Sequence, residues 1–179
     1  MKFEDVLRKQ ILVLDGAMGT MVQNLELSDA AFGGKAFKML TDLLIFSRPD
    51  DLEEIHLKYL RAGANLIETD TFGASPLRLK EFDFTKIDLT DIDAVPEGLD
   101  LKKSDYLAIT YHLNIEGCRI ARKAIELYKN EPEYDGRPLF LAGSIGPSNY
   151  VLSKTEANLN KTTWDQIVDN NFQQVRGMI

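Results

Sequence analysis

Short apolar runs that break off in acids or glycines alternate along this chain with segments whose apolar positions recur every three or four residues. The first run, Ile11-Leu12-Val13-Leu14, leads straight into Asp15-Gly16-Ala17-Met18-Gly19-Thr20. Being apolar on both faces, it predicts a fully buried parallel strand that delivers a carboxylate and a bare backbone loop to one edge of a sheet. Ser47-Arg48-Pro49-Asp50-Asp51 then predicts a helix start, with proline early and acids at the positive end of the dipole. Leu52, Ile55, Tyr59 and Leu60 share the apolar face of that helix, and Gly63 stops it. Residues 66–72 predict a second strand. Ile109, Leu113, Gly117, Ala121, Ala124 and Tyr128 follow at helical spacing, the small ones allowing close approach to a sheet. Residues 139–142 predict a third buried strand, ending in Gly143-Ser144-Ile145-Gly146-Pro147-Ser148-Asn149. Thr163-Trp164-Asp165-Gln166 has capping-box spacing, and Trp164, Val168, Phe172, Val175 and Ile179 form one apolar stripe after it.

Three strands alternating with helices predict an α/β fold with parallel pairing and right-handed crossovers. Residues 82–105 interrupt the series. They are acidic, with Ile87, Leu89, Ile92, Val95 and Leu99 scattered among aspartates, and read as an insertion over the surface between the second strand and its helix. The last helical stripe runs to Gly177-Met178-Ile179 without a stop signal or a following strand, so the expectation is a truncated fold with two open sheet edges.

Composition narrows the class. The 179 residues, 44% hydrophobic and 27% charged, suit one globular domain able to bury a core. A net charge of -7 with no compensating basic patch argues against a nucleic-acid partner, since phosphates require clustered Lys and Arg. Residues 1–10 lack the form of a signal peptide and no apolar run exceeds four residues, which predicts a cytoplasmic protein without a membrane span. Cys118 stands alone, so neither an internal disulfide nor a thiolate-rich metal site can form from this chain.

Asp15 and Gly16 are the first candidate site residues, because chemistry in α/β folds gathers where buried strands end in loops. An Asp-Gly pair equally serves a tight turn. Thr69 and Thr71 are ordinary strand residues by propensity, and Glu68 alternates with an apolar neighbour as a salt-bridging interior acid would. His56 lies on an apolar helix face and His112 has no partner at metal spacing. An aspartyl phosphohydrolase also opens with a strand, Asp and Gly-Thr, but it needs a second acid two residues after the first, and that position is Ala17.

Four motifs in order carry a resemblance: Leu14-Asp15-Gly16-Ala17-Met18-Gly19-Thr20; Ser47-Arg48-Pro49 with Ile55-His56; Ala62-Gly63-Ala64-Asn65-Leu66-Ile67-Glu68-Thr69-Asp70-Thr71-Phe72-Gly73-Ala74; and Gly143-Ser144-Ile145-Gly146-Pro147-Ser148-Asn149. Together they resemble the homocysteine S-methyltransferase family, in the form found as the N-terminal module of cobalamin-dependent methionine synthases. The resemblance implies a (β/α)8 barrel of which residues 1–179 are the first three βα units, a partial homocysteine-binding domain. It implies homocysteine at the C-terminal mouth, with Asp15 and Gly16 positioning its amino acid end. Thr69, Thr71 and Phe72 would stand beside the sulfur, and Gly146, Pro147 and Asn149 would shape the rim. It further implies zinc held by three cysteines of later strands, which Cys118 does not match, and cobalamin and methyltetrahydrofolate on separate modules. The alternative expectation is a non-catalytic fragment or subunit that needs a complementary half.

Overall fold

The computed structural model describes residues 2–147 and 162–179. In chain order its helices and strands are α1 (Phe3–Leu7), α2 (Met18–Gln23), α3 (Leu44–Ser47), α4 (Pro49–Arg61), β1 (Leu66–Glu68), α5 (Pro76–Leu79), α6 (Tyr106–Lys129), β2 (Phe140–Ala142) and α7 (Trp164–Met178), joined by short 3-10 turns. The fold is α/β and mostly helical around a small parallel sheet, in which Leu66, Ile67 and Glu68 pair with Phe140, Leu141 and Ala142.

The first of the three expected strands is present only as a fragment. Leu14 bridges Leu66 in parallel, with Asp15 N donating to Leu66 O at 2.9 Å and Leu66 N to Val13 O at 3.1 Å. The spatial order is therefore first, second, third, with the parallel pairing that the alternating pattern predicts. The expectation that this first strand is fully buried does not hold, since Ile11 is 91% and Val13 53% exposed. The physical reason is that, among the described residues, β1 is the only strand that pairs with the segment. Burial belongs to the neighbours, and the apolar run records what the sequence is prepared to meet.

The helices follow their local signals closely. Pro49 occupies the first turn of α4 with Asp50 and Asp51, and Lys58 and Arg61 occupy its last turn, each charge complementing the helix dipole. Gly63, at φ +107°, takes the left-handed backbone that ends the element. Asp105 caps α6 by accepting from Ala108 N at 3.1 Å, and α6 packs along both α4 and α7. At Gly117 a Cβ would lie 2.6 Å from Thr71 Cγ2, so only glycine lets α6 come this close to the end of β1.

Two amphipathic expectations are modified. Thr163 and Gln166 do form the capping box of α7, at 3.3 and 2.9 Å. The face α7 buries, however, is Asn170, Gln174 and Gly177, while Trp164, Val168 and Phe172 are exposed. The polar face is drawn inward by backbone groups that lack strand partners: Gln174 Nε2 donates to Thr71 O at 2.6 Å, and Asn170 Oδ1 accepts from Leu77 N at 2.8 Å. Residues 82–105 do lie between β1 and α6, but Phe84, Ile87, Ile92 and Leu101 are buried in the main core with Phe37, Leu43 and Phe46. Ala94 N donating to Phe46 O at 2.9 Å and the Arg48–Asp91 ion pair at 2.8 Å fasten the segment to the α3–α4 corner. A second, smaller core of Leu57, Leu60, Ile67, Ala121, Ala124 and Tyr128 sits between α4, β1 and α6. No helix among the described residues is long and apolar enough to cross a membrane.

Candidate functional site

The three parallel segments end together, and their carboxyl ends form a hollow of about 420 Å³ lined by Leu14 to Gly19, Thr41, Glu68, Thr69, Asp70, Phe72 and Ser144. Backbone geometry sets its wall. Asp15 Oδ2 accepts from Glu68 N at 3.0 Å, so the carboxylate that ends the first segment locks the end of β1 beside it. Glu68 in turn accepts from the Ser144 hydroxyl at 3.3 Å, which ties in the end of β2. Three carboxyl groups, those of Asp15, Glu68 and Asp70, face this space, and no lysine, arginine or histidine among the described residues lines it.

Electrostatics follow from that imbalance. Burial, together with the nearby Glu68 charge, raises the Asp15 pKa to about 6, against the stabilising pull of the Glu68 N–H. Asp70 is buried, its Oδ2 has no hydrogen-bond partner, and burial plus the charge of Asp42 hold its carboxyl protonated well above the usual range. Asp42 comes from the 3-10 turn Thr41–Leu43 and is also raised by burial, although its Oδ1 accepts from Gly73 N at 2.8 Å.

The sequence-derived residues divide among three places. Asp15, Gly16, Thr69 and Phe72 line the hollow. Thr71 does not: it is fully buried below, where Thr69 and Thr71 hydroxyls lie 2.6 Å apart and Thr71 Oγ1 donates to Ser144 O at 3.0 Å. Its hydroxyl is consumed in joining β1 to the loop after β2. Gly146 and Pro147 line an adjoining hollow of about 350 Å³ with Asp42, Phe72 and Arg78. Gly146 N donates to Phe72 O at 3.0 Å, and a Cβ on Gly146 would stand 2.5 Å from that same oxygen, so the loop requires glycine there. Asn149 lies outside the described residues. Glu68 has a serine as its partner where sequence reasoning allowed a basic one. His56 is buried without a partner on Nδ1, its pKa lowered to about 4 by burial, and it packs in the helix layer away from the hollow. Sequence reasoning missed Asp70, Asp42 and Thr41 as wall residues; the one available signal was the alternation of Glu68 and Asp70 along one strand.

Residues 12–179 match the homocysteine S-methyltransferase family, and the chain belongs to that family. Among solved structures it is similar to the homocysteine methyltransferase MmuM from Escherichia coli. The metallated form matches with a TM-score of 0.65 at 24% identity over 97% of this chain and 52% of that one. The oxidized form matches with a TM-score of 0.64 at 25% identity over 98% and 51%. The chain therefore spans about half the length of these structures. Family membership leaves the aspartyl phosphohydrolase alternative without support.

One of these similar structures is a metallated form. Cys118 sits on α6, where its thiol donates to Met178 O at 3.9 Å and burial raises its pKa, well away from the carboxylate-lined hollow. No group of three or more His, Cys, Asp or Glu side chains among the described residues could hold a metal ion. The described residues do not fit the zinc that the resemblance implies.

Proposed function

We propose that the hollow at the strand ends is the amino acid subsite of a homocysteine S-methyltransferase, and that this chain forms the first three βα units of its (β/α)8 barrel. The single observation that carries the reading is a cavity walled by Asp15, Glu68 and Asp70 with no cation among the described residues that line it. A carboxylate-lined pocket of this size selects a small ligand bearing a positive charge, and the ammonium of homocysteine supplies three N–H donors for it. Asp15 Oδ1 is left to accept one of them while Oδ2 holds Glu68 N. The carboxylate end of the ligand then meets the backbone at Gly16, and Thr69 and Phe72 flank the side chain that carries the sulfur. These residues bind and orient; activation of the thiol belongs to groups they do not include. Methyl donation from methyltetrahydrofolate through cobalamin is the donor route this reading takes, by resemblance.

A second reading, a part that acts only with a complementary half, is favoured by the bare apolar edge at Ile11, Val13 and Leu14. It is compatible with the first, since the same subsite would be completed from the other side.

Titration calorimetry with L-methionine, the expected product, against its analogue with hydrogen in place of the ammonium group tests the subsite. Methionine is expected to bind and the analogue to bind at least tenfold more weakly. Equal binding of the two would refute an ammonium subsite.

A further inference from the structure

Helices α6 and α7 enclose a further hollow of about 310 Å³ that shares no lining residue with those at the strand ends. Tyr111, Ile115, Arg119 and Arg122 recur every three or four residues, on one face of α6, and all four line it. Arg176, from the last turn of α7, lines it from the other helix. Gly177 sets how near that helix comes. A Cβ there would stand 2.7 Å from Asn114 Cβ and 2.8 Å from Tyr111 O, so only glycine lets the end of α7 close on α6. The approach lays the Arg176 guanidinium over the Tyr111 ring, 5.4 Å from its centre. Three guanidinium groups therefore share one hollow in a chain whose net charge is -7. No aspartate or glutamate among the described residues lines it, and of the three arginines only Arg119 is ion-paired there, to Glu116. All three are exposed, so the core does not require them to gather, and like charges held together repel.

We propose that this hollow is a binding site for a phosphate dianion, distinct from the amino acid subsite and independent of it. The planar guanidinium offers parallel N–H donors that match the spacing of phosphate oxygens. A dianion offsets the two unpaired charges of Arg122 and Arg176 together, whereas a carboxylate offsets one. Arg176 is already ordered by the Tyr111 ring, and Arg119 by Glu116, so less rotamer freedom is lost when the anion enters. Ile115 and Met178 bring apolar surface to the same space, and an organic group attached to the phosphate would gain burial against them.

Calorimetry of the full chain in HEPES buffer, with inorganic phosphate and then with phenyl phosphate, tests the site. Saturable binding is expected, and benzoate, a single charge on the same ring, is expected to bind about tenfold more weakly than phenyl phosphate. Phenyl phosphate binding more tightly than inorganic phosphate assigns the site to a phosphate ester, and any other order assigns it to the free anion. Arg122→Gln and Arg176→Gln are each expected to weaken binding about tenfold, the loss of one charge-assisted contact. Lys123→Gln removes a charge of α6 that pairs with Glu53 at 2.7 Å and does not line the hollow, and it is expected to leave the affinity unchanged. Amide NMR of the wild-type chain reads the site without mutation: phenyl phosphate is expected to shift the N–H signals of Cys118 and Gly177 and not those of Gly16 and Phe72. No saturable binding of either phosphate overturns the proposal, as do benzoate binding as tightly and arginine variants that bind like the wild type. An equal loss in Lys123→Gln, or shifts confined to the strand-end hollow, overturns it too.

Discussion

The two ends of the small parallel sheet are built on opposite rules. At the amino ends polar side chains tie the segments together. Asn65 accepts from Val13 N and donates to Pro138 O, both at 3.1 Å, and so joins all three parallel segments with one side chain. Arg137 lies over the Tyr128 ring, donates to the Tyr128 hydroxyl at 2.9 Å and to Leu60 O, and closes the small core. At the carboxyl ends the polar groups are crowded, like-charged and in part unpartnered, with Asp15, Glu68 and Asp70 around an open cavity. Acids placed together at a cost to stability mark where a ligand is meant to complete the structure, whereas matched polar groups mark where the fold completes itself.

The largest break in this comparison comes from below. Ile67 is fully buried in the small core, and Ile67→Ala is expected to destabilise the chain by about 3 kcal/mol, the cost of lost burial plus a residual cavity. Chemical denaturation followed by circular dichroism reads it; a loss under 1 kcal/mol would show that the small core is not load-sharing with the sheet. Asn65→Ala is the next in size. It strands Val13 N and Pro138 O in a half-buried setting, at about 2 kcal/mol, and is expected to weaken methionine binding as well, because the three strand ends then lose register.

The pH dependence sharpens the contrast from both sides. His56 is buried and neutral, with a folded pKa of about 4 against the usual 6.5, so its stabilising contribution is complete above pH 6.5 and is lost as pH falls towards 4. Asp70 and Asp42 have the opposite sign. Their folded pKa values are raised, so their contribution is complete below the ordinary carboxylate range and is lost as pH rises through the folded values. Between pH 6.5 and 8 only the acids act, and stability is expected to fall by about 1–2 kcal/mol, since one titrating proton changes stability by about 1.4 kcal/mol per pH unit. Asp70→Asn is expected to flatten that decline, and denaturation curves at half-unit pH steps measure it. A curve that stays flat in the wild type would remove the protonated acid from the free protein.

How much of this was legible in the sequence depended on whether a signal was local. The capping box at Thr163, the proline start of α4 and the parallel pairing of the segments all follow from residues within one turn or one run. The small residues of α6 also announced their purpose, as Gly117 against Thr71 shows. What stayed hidden was decided by distant neighbours. Gln174 is buried where its Nε2 donates to Thr71 O and Ser144 O, and Phe172, two residues before it, is exposed. Phe84 and Ile87 joined the core without any helical or strand period to betray them. In the site, the strand-end position of Asp15 and Thr69 was readable, but the charge of Asp42 comes to act on Asp70 only through the fold, and Thr71 turned inward because its hydroxyl closes a chain of hydrogen bonds to Ser144.

The smallest expected effect on stability is the sharpest discriminator between the two ends. Asp15→Asn keeps an oxygen for Glu68 N and removes a carboxylate whose pKa is already raised by burial and by Glu68, so the folded chain gives up little by its neutralisation. Stability at pH 7 is expected to change by no more than about 0.5 kcal/mol, in the range of ordinary surface substitutions. Methionine affinity is expected to fall at least tenfold, because the ammonium loses a charge-assisted acceptor of about 1.5–3 kcal/mol. Paired calorimetry and denaturation on the same preparation decide the matter. Were Asp15→Asn to destabilise the chain as severely as Asn65→Ala while leaving affinity intact, the carboxyl ends would be as structural as the amino ends, and the division between the two faces of the sheet would fall.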